Sequence, residues 1–303
     1  MPTSDPAGNP ESAASQAPSA RTERGYVLGT HDAELERLAF QHSVWRDEVL
    51  RAWNSAGLGP GARVLDVGAG PGFASLDLAA LVGDSGRVVA VERSRRFLDF
   101  LEREIRDRGL TNVATAELDL MVDPLPRADA GAARNATDAD RGFDAAWCRW
   151  VACFVPDPAL LVRRMAEALR PGGRAVFHEY VEYGSYSVLP RDPAVDGFVA
   201  AVFESWRSLG GEPDIARVLP RMLADAGLSI THVRPIARAA RPTDRLWHWP
   251  AGFARINVPR LVELGLRSDA WGREVIAAID AAERDEASVF ITPTVLEIIA
   301  VKR

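Results

Sequence analysis

A short apolar run that ends in alternating glycines constrains this chain more than any other feature. Residues 64–72 read VLDVGAGPG, and a helix-like segment, ASLDLAALVG, follows at residues 74–83. A buried strand that passes through a glycine turn into a helix is where α/β sheets bind nucleotides, outside the carboxyl ends of their strands. Glycine lets the backbone approach a ligand closely because it has no Cβ atom. The segment therefore predicts an α/β sheet with a ligand at its carboxyl edge.

Apolar strands and amphipathic helices alternate along the chain as far as residue 180. This alternation is typical of βαβ units and predicts a mostly parallel sheet with right-handed crossovers. Residues 127–142 are polar and aperiodic, which predicts a surface insertion. The predicted strands are residues 63–67, 87–92, 113–120, 143–147, 174–180, 229–236 and 294–301.

The spacing of the glycines narrows the choice of ligand. A dinucleotide fingerprint places glycine or alanine three positions after its second glycine. Counted from Gly68, that position holds Phe73. The glycines here alternate at positions 68, 70 and 72 instead, with Asp66 two residues ahead of them. This spacing disfavours an NAD(P)-dependent oxidoreductase, which stays the alternative function.

Composition bears on the partners. The 36 basic and 42 acidic residues give a formal charge of −6, whereas nucleic-acid-binding proteins usually carry a basic face. Cys148 and Cys153 match no zinc pattern, and we expect no metal site. No apolar run approaches the roughly 20 residues of a membrane span, and the first residues lack the pattern of a secretory signal. We therefore expect a cytoplasmic protein, monomer or homodimer, without nucleic-acid or membrane partners.

An acidic residue followed by alternating glycines resembles the first motif of the class I S-adenosylmethionine (SAM)-dependent methyltransferases. The resemblance is strong over about residues 60–182 and includes the LRPGG turn at residues 169–173. It implies SAM as the cofactor. It also implies a Rossmann-like fold, a mostly parallel seven-stranded sheet with helices on both faces and a helical lid.

The resemblance also implies roles for residues at the carboxyl ends of the strands. Glu92 is expected to bind the ribose hydroxyls, and Asp119 the adenine amino group. Arg149 is expected at the methionine end of SAM, which Tyr26 would cover, and Gln41 is a further candidate from the same resemblance. The complete predicted cofactor-binding set is Tyr26, Asp66, Gly68, Ala69, Gly70, Gly72, Glu92, Arg93, Asp119, Leu120 and Arg149.

The acceptor side has no comparable motif. Methyl transfer from a sulfonium is an in-line displacement that requires alignment and exclusion of water, so no catalytic constellation is needed. His178 is a weak candidate for a base or an orienting group. Aromatic residues predict an apolar or aromatic small-molecule acceptor, as in secondary metabolism. The predicted acceptor-binding residues are Trp150, Tyr183, Tyr186, Trp206 and Trp247, and Trp249 is a further candidate.

The predicted organisation is a disordered tail at residues 1–22, a helical cap at 23–58 and a SAM-binding domain at 59–303. Two helical segments, near 187–213 and 243–288, have no place in the minimal sheet and are predicted to form a lid over the acceptor. His42 falls on the apolar stripe of the cap helix, where we expect a packed core histidine.

Two further alternatives remain beside the oxidoreductase. A non-catalytic SAM-binding regulatory protein is compatible with the absence of an identifiable base. A nucleic-acid methyltransferase is disfavoured by the acidic charge and by the lack of an Asn-Pro-Pro-Tyr motif after the fourth strand.

Overall fold

The computed structural model describes residues 32–128 and 142–303. The predicted tail at residues 1–22, Tyr26 and most of the predicted insertion at 127–142 lie outside these ranges. The N-terminal cap is described from Asp32 onward, where its helix begins.

Eight α-helices lie within the described ranges. They are α1 (Asp32–Ser55), α2 (Phe73–Val82), α3 (Arg95–Asp107), α4 (Pro158–Ala168), α5 (Pro193–Ser208), α6 (Leu219–Asp225), α7 (His248–Glu263) and α8 (Asp269–Arg284).

The strands of the described ranges form a large sheet and a small one. The large sheet has the order β3-β2-β1-β4-β5-β10-β7. Neighbouring strands from β1 to β5 run parallel, and β10 is antiparallel to both of its neighbours. Its strands are β1 (Arg63–Val67), β2 (Arg87–Glu92), β3 (Val113–Glu117), β4 (Phe143–Arg149), β5 (Leu169–Glu182), β7 (Leu228–Ile236) and β10 (Thr294–Lys302). The predicted fold class is confirmed.

The strand order reverses between β1 and β4. The chain moves from β1 outward to β2 and β3, and then returns past β1 to β4 and β5. Open α/β sheets bind ligands in the crevice that such a reversal leaves at the carboxyl ends of the strands. The glycine turn after β1 and the turn after β4 meet at this crevice.

Local sequence explains where these elements begin and end. Helix α3 starts at Ser94, whose hydroxyl accepts from the Phe97 backbone N–H, and helix α4 starts at Asp157 followed by Pro158. Strand β5 begins earlier than predicted. The expected turn at residues 169–173 is instead an irregular start of that strand, with Gly172 at φ 75°.

Short strands accompany the two segments that are predicted to form a lid. Strands β6 (Ser187–Leu189), β8 (Ala239–Ala240) and β9 (Val289–Ile291) form the small sheet, in the order β6-β9-β8. Strands of two or three residues are too short to leave a readable alternation in sequence. No helix in the described ranges combines the length and apolar character needed to cross a membrane.

Candidate active site

The glycine turn after β1 depends on three positive φ angles: 67° at Gly68, 56° at Gly70 and 80° at Gly72. A Cβ atom on Gly68 would lie 2.5 Å from Val151, and one on Gly72 would lie 2.4 Å from Leu101. A Cβ on Gly70 would meet no described atom within 4 Å. The outer two glycines are therefore required by packing, whereas the middle one leaves space for a ligand.

Glu92 ties this turn to the end of β2. Its buried carboxylate accepts hydrogen bonds from the backbone N–H groups of Gly70 (3.0 Å), Arg93 (2.9 Å) and Ser94 (2.8 Å). Burial raises the pKa of Glu92, and the three N–H groups oppose that shift. A carboxylate offers about four acceptor positions, so roughly one is left for a ribose hydroxyl. The ribose role stays a prediction.

Asp66 fixes the other side of the turn. Its carboxylate is buried and accepts a 2.6 Å hydrogen bond from the Ser75 hydroxyl in the first turn of α2. Desolvation raises the pKa of Asp66 to about 6. Ser75 therefore connects the end of β1 to α2, which sets the direction in which the chain leaves the glycine turn.

The predicted adenine end is a tight turn after β3. The Asp119 carboxylate accepts from the Met121 N–H at 2.7 Å, so it caps its own turn. Arg164 on α4 donates to the carbonyl oxygens of Leu120 and Val122 and holds this turn against the sheet. The roles of Asp119 and Leu120 in binding adenine stay predictions.

Arg149 ends β4 beside this crevice. Its Nη2 atom donates to His42 Nδ1 at 3.1 Å, whereas its Nη1 atom is buried and has no partner among the described residues. Desolvation lowers the pKa of Arg149 to about 10, so the side chain stays a cation. A buried cation with an unpaired donor favours an anionic ligand, because an unmade hydrogen bond of this kind is costly.

Aromatic side chains continue directly from Arg149. The Trp150 ring stacks on Tyr180 (5.4 Å between centroids, 14° between planes) and on Trp249 (5.7 Å, 19°). Trp45 of α1 meets Trp150 and Trp249 edge-on at 5.3 and 5.1 Å. We name these four residues the aromatic wall. Trp150 has φ 53°, a strained conformation for a large side chain that turns the backbone sharply after β4.

The predicted acceptor residues fall into two groups. The Tyr183 ring packs against Tyr180 of the aromatic wall, with 4.9 Å between ring centroids, and against Trp206, with 5.3 Å between centroids. Tyr186 and Trp247 instead pack on Phe290 of the small sheet, at 5.0 and 5.1 Å. The structure thus brings Trp150, Tyr183 and Trp206 together, and places Tyr186 and Trp247 a layer away.

His178 lies deeper in the sheet than the aromatic wall. Its side chain is fully buried, packs edge-on against Trp147 and hydrogen-bonds through Nε2 to Glu297 at 2.9 Å. Burial lowers the pKa of His178. The catalytic role of His178 stays a prediction that this geometry does not support, because the side chain has no solvent-accessible surface.

Trp45 of the aromatic wall was predicted only as a core position on α1, because residues on α1, β5 and α7 meet through the fold alone. Tyr180, at the end of the fifth predicted strand and close to the candidate His178, belongs to the same wall. Gln41, a candidate from the resemblance, accepts from Trp249 Nε1 and from Arg37 at 3.0 Å each. Glu179 is also buried, and it accepts from the N–H groups of Val151 and Ala152.

A cleft of about 240 Å³ lies at the amino ends of β2 and β3, the opposite edge of the sheet. No group of three or more His, Cys, Asp or Glu residues that could hold a metal occurs within residues 32–128 and 142–303.

Comparison with known proteins agrees with this geometry. Residues 65–177 match a family described as "Methyltransferase domain". The chain is 28% identical to the methyltransferase GfsG of Streptomyces halstedii over 218 residues, which are 70% of this chain and 68% of that protein. It is 22% identical to the methyltransferase str2 of Strobilurus tenacellus over 273 residues, or 90% and 86% of the two chains.

Solved structures share the fold. Geranyl diphosphate C-methyltransferase from Streptomyces coelicolor A3(2) superposes with a TM-score of 0.53 at 16% identity, covering 89% of this chain and 84% of that one. The [4+2]-cyclase SpnF gives a TM-score of 0.52 at 20% identity, covering 84% and 80%. The cyclase illustrates that a fold alone does not define a reaction.

The matched domain, the methyltransferase relatives and the strand order are similar to those of the class I SAM-dependent methyltransferases. The chain is a SAM-dependent methyltransferase, and its cofactor is SAM.

Proposed function

We propose that the acceptor is a small apolar or aromatic metabolite, of the kind made in secondary metabolism. The observation that carries this proposal is the continuity between Arg149 and the aromatic wall: the Arg149 guanidinium carbon lies 5.2 Å from the Trp150 ring centroid. A flat or apolar acceptor against such rings replaces water at favourable free energy. Geranyl diphosphate C-methyltransferase, which shares the fold, takes a small-molecule substrate, as this proposal assigns to the chain.

The residues around the glycine turn fit SAM. The open face of Gly70 accommodates the methionyl group, and Arg149 Nη1 is a buried donor for its carboxylate. Glu92 retains an acceptor position for ribose, and Asp119 and Leu120 border the adenine end, with Arg93 beside them. The remaining contacts in this assignment are Asp66, Gly68, Ala69 and Gly72, with Tyr26 as a cover.

When bound, SAM supplies a methyl group on an activated sulfonium. The residues of this chain orient the acceptor and exclude water, which is the main requirement of an in-line displacement. Trp150, Tyr183 and Trp206 are all buried; Trp150 lies beside Arg149, and Tyr180 joins it to Tyr183, which contacts Trp206. The segments near 187–213 and 243–288 form the lid in this proposal.

The proposal also covers the partners and the cellular compartment of the protein. We infer a cytoplasmic enzyme, monomer or homodimer, that does not act on nucleic acid. The acidic charge of −6 supports this, because a nucleic-acid substrate favours a basic surface.

A radiolabel experiment tests the acceptor class. The protein is incubated with methyl-tritiated SAM and, in separate reactions, a small-molecule extract, total tRNA and total protein. We expect label in the organic-extractable fraction of the first reaction alone. Label in the nucleic-acid or protein fraction contradicts the proposal.

A further inference from the structure

His42 of α1 lies between the proposed cofactor site and the protein surface. Its Nδ1 atom faces Arg149 Nη2 at 3.1 Å, and its Nε2 atom faces Asp77 Oδ2 of α2 at 3.0 Å. Arg46, one turn further along α1, also binds the Asp77 carboxylate, through Nε at 2.7 Å and Nη2 at 3.2 Å. These four side chains form a hydrogen-bonded series from half-exposed Arg46 inward to Arg149.

The chemistry of the two partners fixes the tautomer of His42. A guanidinium can only donate, so Nδ1 must present its lone pair to Arg149. The proton of the neutral ring therefore lies on Nε2, from which it is donated to Asp77. A protonated imidazole would direct an N–H at the Arg149 guanidinium, and the hydrogen bond between them would be lost.

The surroundings of His42 favour this neutral form. Burial is the largest cause that lowers the pKa of His42, and Arg149 and Arg46 lower it further, whereas Asp77 raises it. The Phe73 ring of α2 lies alongside at 6.2 Å. The charged groups that face His42 are therefore two cations and one carboxylate.

The Arg149 side chain has few groups that fix its orientation. Within the described ranges it forms no salt bridge: Asp66 acts on it only at longer range, and the Asp66 carboxylate is engaged by Ser75. The Nδ1 atom of His42 is the single hydrogen-bond acceptor that the described residues give the Arg149 side chain. Free rotation of the guanidinium would move the unpaired Nη1 donor.

We infer that His42 is a positioning residue for cofactor binding: it holds Arg149 through Nδ1, with Nη1 left for the methionyl carboxylate of SAM, and it releases Arg149 when protonated. The inference rests on the proposed role of Arg149 in SAM binding. His42 has a lowered pKa in the folded protein, so the neutral form prevails at pH 7 and protonation needs a lower pH than it does for a free imidazole. Cofactor affinity should therefore fall with decreasing pH.

Calorimetric titration with S-adenosylhomocysteine (SAH) between pH 5.5 and 7.5 tests this inference. For the wild type we expect the dissociation constant to rise toward the acidic end, by less than about tenfold because the pKa of His42 is lowered. His42→Gln can still accept from Arg149 and donate to Asp77 without titrating. It should bind SAH within about threefold of wild type at pH 7.5, with a flatter pH profile. His42→Leu should bind about tenfold more weakly throughout.

The Asp66 carboxyl, with a pKa of about 6, titrates in the same range. Asp66 is present in both His42 variants. The pH dependence of SAH affinity that remains in His42→Gln therefore measures the contribution of Asp66. An unchanged slope in His42→Gln, or wild-type affinity in a folded His42→Leu protein, overturns the inference. Circular dichroism confirms folding of each variant.

Nuclear magnetic resonance gives a readout that packing alone would not change. Long-range ¹⁵N–¹H correlation should show the Nε2–H tautomer of His42. By linkage, SAH binding should lower the pKa of His42 by the logarithm of the factor by which protonation of His42 weakens the affinity for SAH. A free Nε2 lone pair, or an unshifted pKa of His42, contradicts the inference.

If Arg149→Met binds SAH like the wild type, the proposed role of Arg149 fails. If Arg149→Met loses affinity but the His42 variants do not, the inference alone fails.

Discussion

The two halves of the proposed active site are built in different ways. The cofactor half, around the glycine turn, uses backbone conformation: three positive φ angles and backbone N–H groups gathered by Glu92. The acceptor half uses side chains from α1, β5 and α7 that meet as the aromatic wall. Backbone geometry tolerates few residue types, whereas aromatic packing tolerates many. The cofactor half should therefore respond to substitutions far more sharply.

Gly70→Val should have the largest effect on cofactor binding. The new side chain occupies the open face of the turn, and SAH affinity should fall by at least about 100-fold in calorimetry. Gly57→Val is the matched control, because Gly57 also has positive φ (66°) and open space around its Cα, and it lies beyond the end of α1. Both variants carry similar backbone strain of about 1–2 kcal/mol. Equal SAH affinities in the two variants would contradict the claim that the cofactor occupies the space beside Gly70.

Glu92→Ala should come next. It removes the acceptor of three backbone N–H groups and of the predicted ribose contact, so SAH affinity should drop about 30-fold. Chemical denaturation should show a loss of about 1–3 kcal/mol with the protein still folded. A folded Glu92→Ala protein with unchanged affinity for SAH rejects the ribose role.

Trp249→Leu should separate the two halves. We expect SAH affinity within about threefold of wild type, but methyl transfer reduced at least about tenfold, because the stack on Trp150 is lost. The free energy of unfolding should fall by about 2–4 kcal/mol. Trp53→Leu is the control, since Trp53 is equally buried but packs on Trp147, away from the aromatic wall. A similar loss of methyl transfer in both variants would assign the effect to stability.

Glu297→Gln should leave both halves intact and change only stability. The Glu297 carboxylate accepts from His178, His232 and Arg234. Burial raises the pKa of Glu297, but His178 and Arg234 outweigh it and lower the pKa to about 2. A depressed carboxyl pKa contributes stability above the unfolded value, near 4.5, and that contribution is lost as pH falls through about 2. We expect a loss of about 2 kcal/mol at pH 7 and a weaker acid dependence. Reduced SAH affinity would show that this network supports the cofactor half.

The same contrast explains what could be predicted from the sequence. Strands β1 and β2 are confirmed at their predicted bounds, because continuous apolar runs and glycine turns encode buried parallel strands. Trp45 fell on the apolar stripe of the cap helix and Tyr180 at the end of a predicted strand, but their meeting was not predicted, since the contacts that define the aromatic wall join distant parts of the chain. The hydrogen bond from Arg149 to His42 spans 107 residues, so neither residue could be assigned to the other.

Calorimetric titration of the wild-type protein with SAH and, separately, with NADH tests the central claim most directly. The glycine spacing, the open face of Gly70 and the unpaired donor of Arg149 all predict a SAM site. We expect one SAH per chain, with a dissociation constant of about 1–100 µM, and no heat of binding with NADH. Binding of NADH without binding of SAH would contradict the account.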